Sequence, residues 1–130
     1  MINLLLDKGA DINAQGGRYG NALQAATVDE NENMVNLLLE MGADVNAQGG
    51  QYGNALHAAA AAVAKGNEAM VNLLLAKGAA VNAQGGQYGS ALQAAAAKGD
   101  EAMVSLLLDK GADVNAQGGY YGSALQAAVA

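Results

Sequence analysis

Three groups of residues in this chain have types and spacings that could do chemistry. Asp44-x-Asn46-x-Gln48-Gly49 has the alternating oxygen ligands that open a calcium-binding EF-hand loop, and the pattern recurs from Asp11 and Asp113. Such a loop needs a bidentate Glu at its twelfth position to close the oxygen shell. Ala55, Ala22 and Ala124 stand there, so the pattern reads as a turn and no metal ligand is assigned. Gly16-Gly17-Arg18-Tyr19-Gly20 precedes a helix start, where backbone amides can cradle a phosphate. No Lys-Ser or Lys-Thr follows it, and only the first of four copies carries a basic residue, so repeated turn geometry is the better reading. His57 is the single histidine; as a general base it would need a Ser, Cys or Asp partner that the sequence does not name. No catalytic or cofactor-binding residue is assigned, and the expectation is a protein that is not an enzyme.

The elements that must position these residues recur. Gly-Gly appears at 16, 49, 85 and 118, spaced by 33, 36 and 33 residues. In register with it come Asn13, Asn46, Asn82 and Asn115, and Tyr19, Tyr52, Tyr88 and Tyr121. Each unit reads as two helices. The first starts at Asn21, Asn54, Ser90 or Ser123, whose side chains can accept a bond from an orphan amide of the first turn. Gln24, Gln93 and Gln126, three residues on, can return a bond to the cap's own amide and complete a capping box; His57 holds that place in the second unit. The second helix starts after Asn31, Asn67 or Asp100 and carries apolar residues at helical spacing, as in Met103, Val104, Leu106, Leu107 and Leu108. It stops at Gly9, Gly42, Gly78 or Gly111, where glycine can take the left-handed conformation. A helix pair this short cannot bury its Leu stripe alone, so the units must stack. The second unit carries three extra residues within Ala58 to Ala64, close to one helical turn, which predicts a longer, protruding first helix.

Composition narrows the function classes. With 52% hydrophobic and 14% charged residues in 130, the chain can bury one continuous core. Phe, Trp, Cys and Pro are all missing, so Leu, Val, Met and Ala must build that core, with no disulfide and no thiolate metal site. A formal charge of −6 repels both phosphate backbones and anionic lipid, so neither nucleic acid nor membrane is expected as a partner. The longest apolar run, Ala58 to Ala64, is too short to span a bilayer, and a cytoplasmic location is expected.

The 33-residue period, the run Leu-Leu-Leu-x-x-Gly-Ala-Asp-Val-Asn-Ala at 106 to 116 and the capped first helix resemble the ankyrin-repeat family over the whole chain. The family's usual Gly-x-Thr-Pro-Leu-His becomes Tyr-Gly-Asn-Ala-Leu-Gln at 19 to 24, which loses a proline at the first helical position. That variant is similar to repeats of large fungal signalling proteins, or to a consensus-like array. The resemblance implies an all-α solenoid of stacked helix pairs joined by projecting hairpin-like turns. It divides the chain into a half repeat at 1–10, repeats at 11–43, 44–79 (with the insertion) and 80–112, and a half repeat at 113–130. It also implies a structural role for His57, linking the loops of adjacent units, and a protein partner on the concave face made by turn tips and first helices.

Aligning unit with unit places Arg18, Gln51, Gln87 and Tyr120 at equivalent tips, and Asp29, Lys65 and Lys98 at equivalent ends of the first helices. These seven are the expected partner contacts. A second expectation concerns the two ends. Met1 to Leu6 aligns with Met34 to Leu39, inside a second helix, and the chain closes on a first helix, leaving Met1, Leu4, Leu5, Leu6, Leu125 and Val129 as candidates for self-association. A head-to-tail contact of that kind does not close on itself and would build filaments.

Overall fold

The computed structural model describes residues 1–61 and 67–130. Among them it is mostly helical: α1 (Ile2–Asp7), α2 (Ala22–Val28), α3 (Glu32–Glu40), α4 (Ala55–Ala60), α5 (Glu68–Ala76), α6 (Ala91–Ala97), α7 (Glu101–Asp109) and α8 (Ala124–Val129). One small antiparallel sheet joins β1 (Gln117–Gly118) to β2 (Gly122–Ser123).

Local chemistry accounts for both ends of these helices. Asn21, Asn54, Ser90 and Ser123 hold extended backbone, and each side chain accepts the amide of the third residue on. The side chains of Asn31, Asn67 and Asp100 accept the corresponding amides of the second helices. Past the second helices Gly9, Gly42, Gly78 and Gly111 take φ of 97°, 102°, 98° and 94°, the left-handed stop that glycine adopts without steric cost. The expected capping box is only half made. The caps accept their amides, but the Gln24 and Gln93 side chains turn outward and donate to the carbonyls of Gly49 and Gly118 in the next unit, at 3.0 and 2.7 Å. Gly49 and Gly118 are half-buried, so their carbonyls gain from a donor on the protein that water supplies less readily there.

First helices form one row, α2 against α4 against α6 against α8, and α2, α4 and α6 each pair with the second helix that follows. The buried side chains explain the row. Val35 and Leu38 in α3, Met70 and Leu74 in α5, and Met103 and Leu107 in α7 recur at the three- and four-residue spacing of one helix face. The first helices are buried on more than one side, with Ala55 to Ala60 and Ala91 to Ala95 all inside, and their small alanines let neighbours sit on both flanks.

The insertion does not lengthen the first helix of its unit. α4 ends at Ala60 and caps at Ala61, so it is no longer than α2 or α6; the later extra residues lie outside the described ones. The Asn67 amide donates to the Ala59 carbonyl, as Asn31 does to Ala26 and Asp100 to Ala95. The same anchor is thus reached over eight residues where the other units use five.

Candidate functional site

Between units the chain makes a tight turn closed by one backbone bond: Gly16, Gly49 and Gly85 amides donate to Gly20, Gly53 and Gly89 carbonyls at 2.8, 2.8 and 2.9 Å. Successive turns lie against one another. A Cβ on Gly50, Gly86 or Gly119 would strike the backbone of Tyr19, Tyr52 or Tyr88 in the turn before, so only glycine permits this approach.

The tips themselves are stitched together. The Gln51 amide donates to the Arg18 carbonyl at 3.0 Å, Gln87 to Gln51 at 2.9 Å, and Tyr120 to Gln87 at 2.7 Å. Four of the seven sequence-derived contact candidates therefore form one continuous row. At one end Arg18 Nε donates to Gln51 Oε1 at 3.2 Å, and its guanidinium lies 5.7 Å from the Tyr19 ring centroid. At the other end Tyr120, 85% exposed, meets Tyr121 edge to face with centroids 5.1 Å apart. Gln87, Tyr88, Tyr120 and Tyr121 line a cleft of about 170 Å³ there, space for a side chain of a partner. The row offers a guanidinium, two amides and several phenol rings, groups that recognise by hydrogen bonding and stacking.

Asp29 and Lys98 are exposed and cap the far ends of α2 and α6. A seven-residue helix, about 10 Å long, separates each from its tip, so they form a second line and do not join the first. Lys65 lies outside the described residues. Met1, Leu4, Leu5, Leu125 and Val129 are exposed and Leu6 is half-buried.

The residues that suggested catalysis are occupied by structure. Asp11, Asp44 and Asp113 each accept the amide two residues on at 2.9 Å, fixing their turns. His57 is buried, with Nδ1 3.0 Å from the Tyr52 carbonyl and Nε2 3.0 Å from the Ala83 carbonyl in the next unit. Both neighbours are acceptors, and a neutral ring has one N–H to give. Burial lowers its pKa below the ordinary 6.5, against the carbonyls, which pull it upward.

One set of residues escaped the sequence reading. Asn13, Asn46 and Asn82 donate to the carbonyls of Gly42, Gly78 and Gly111, and accept the amides of Asp44, Ala80 and Asp113 one unit on. Their recurrence in register with the Gly-Gly pairs was the available signal.

The family model for ankyrin repeats (three copies) matches residues 1–85 and 56–130, which together span the chain. The chain belongs to the ankyrin-repeat family, whose repeats build helix-pair stacks and generally mediate protein–protein interaction. No curated protein matches it. Among the described residues no helix is long and apolar enough to cross a membrane.

Proposed function

We propose that this chain is a non-catalytic solenoid that binds a partner protein along its concave face, with the tip row as the main contact. One observation carries this reading. Backbone bonds hold Arg18, Gln51, Gln87 and Tyr120 on one regular line, with glutamine at both middle positions and a guanidinium and a phenol at the two ends, so the framework is constant and the recognising groups vary at its ends. Asp29, Lys65 and Lys98 are the proposed second line of contact. The test replaces Arg18, Gln51, Gln87 and Tyr120 by Ala, compares thermal melting to show that the fold persists, and titrates both proteins against a captured partner. A saturable one-to-one complex lost in the variant supports the reading; equal affinity of both proteins overturns it.

A second reading, self-assembly end to end into filaments, is favoured by the contrast between equivalent leucines. Leu5 is 49% exposed where Leu38, Leu74 and Leu107 are 3%, 0% and 0%, and Leu125 is 76% exposed where Leu23, Leu56 and Leu92 are 2%, 1% and 2%.

A further inference from the structure

Backbone bonds repeat from tip to tip, so the gap between one pair of neighbouring tips can be compared with another. Between the first and second tips the chain uses that gap itself. Arg18 Nε donates to Gln51 Oε1 at 3.2 Å, and the guanidinium lies 5.7 Å from the Tyr19 ring centroid, within reach of a cation–π contact. In the third tip Gln87 holds the position of Arg18, while Tyr88 and Tyr120 correspond to Tyr19 and Gln51. The gap between the third and fourth tips is an open cleft of about 170 Å³ lined by Gln87, Tyr88, Tyr120 and Tyr121. Both of its walls are tips of this chain, tied together by the 2.7 Å bond from the Tyr120 amide to the Gln87 carbonyl.

We propose that this cleft binds the guanidinium of an arginine side chain on the partner protein. This rests on the tip-row reading and names the group that the aromatic end of the row selects. The lining repeats the chemistry that holds Arg18. Tyr88 supplies the ring that Tyr19 supplies in the first tip, and the side-chain oxygens of Gln87 and Tyr120 are acceptors of the kind that Gln51 Oε1 provides. Among the described residues the lining carries no ionised side chain, so no cation of the chain competes for the rings. The formal charge of −6 draws a cation toward this surface and repels a carboxylate. Arginine is favoured over lysine by shape and hydration. A planar guanidinium stacks on a ring and donates from its edge at the same time, and it is more weakly hydrated than an ammonium, which acts as a point charge.

The first tip also supplies a selective block. Gln87→Arg gives the third tip the residue that the first tip already holds, so the backbone is undisturbed and the chain's own guanidinium occupies the cleft. Tyr120→Ala removes one wall, and because Tyr120 is 85% exposed the fold loses little.

The probe is the peptide acetyl-Gly-Ser-Gly-Arg-Gly-Ser-Gly-amide, compared with the same peptide carrying Lys or Gln at its centre. The readout is the NMR shift of the tyrosine ring protons, with circular-dichroism melting of every variant as the folding control. The arginine peptide is expected to shift the rings of Tyr88, Tyr120 and Tyr121 saturably, with a Kd on the order of millimolar. The lysine peptide, which measures the attraction any cation feels for a negative chain, is expected to bind about fivefold more weakly, and the glutamine peptide to leave the rings unshifted. Gln87→Arg and Tyr120→Ala are each expected to weaken the arginine peptide on the order of tenfold. Equal binding of the arginine and lysine peptides, arginine binding that Gln87→Arg leaves intact, or rings that do not shift overturns the arginine cleft. None of these results touches the tip-row reading, which falls only when the captured partner binds the four-alanine variant as tightly as the unmodified chain. A partner lost in that variant but held at full affinity by Gln87→Arg overturns the cleft and keeps the row.

Discussion

Glu30 sits at φ 57°, in the left-handed region, at the place where Gly99 takes φ 69°. A side chain there costs on the order of 1–2 kcal/mol, part of which glycine returns through its freer unfolded state. Glu30→Gly is expected to stabilise the chain by about 0.5–1 kcal/mol, read as a higher urea midpoint with unchanged slope. His57 gives a pH dependence whose sign follows from burial. The folded ring holds its proton less tightly than the unfolded one, so its contribution is complete above the ordinary 6.5 and is lost as pH falls from there toward the depressed folded value. The slope from this group cannot exceed about 1.4 kcal/mol per pH unit. His57→Gln installs the residue of the first and third units and is expected to flatten the fall in stability below the ordinary 6.5, measured by urea unfolding at each pH.

The second helices and turns are locally encoded, but what joins one unit to the next is not. Asn46 spans that boundary with bonds of 3.0 Å to the Gly78 carbonyl and 2.8 Å from the Ala80 amide. Both groups are exposed, so water takes over part of what a truncation removes. Asn46→Ala is expected to cost about 1 kcal/mol, and Asn115→Ala to cost almost nothing in the single chain, compared by denaturant unfolding at low protein concentration. The insertion belongs to the same scale. A helical-length insert reads as helix by arithmetic, yet the bond from Asn67 to Ala59 returns the chain to its usual anchor and α4 keeps its ordinary length.

In the whole stack a residue's weight depends on how many neighbours it has. Leu74 is fully buried between units and Leu5, its equivalent at the leading end, is half-exposed. Leu74→Ala is expected to cost about 2–5 kcal/mol and Leu5→Ala well under half of that, by urea unfolding at concentrations where mass measurements show single chains. Repeats that gain stability from their interfaces unfold first where an interface is open.

Period, helix ends and stacking face were legible in the residues, because caps, left-handed glycines and apolar spacing act within a few positions of one another. The tip row was legible as four equivalent positions, though not as a bonded line. The destinations of side chains that leave their own unit were decided only by tertiary structure. Gln24 could cap its own helix or reach Gly49, and only the neighbouring turn, about 25 residues away, supplies the half-buried carbonyl that it bonds. Asn46 and His57 follow the same rule, since each takes a partner from the next unit that no local spacing can name.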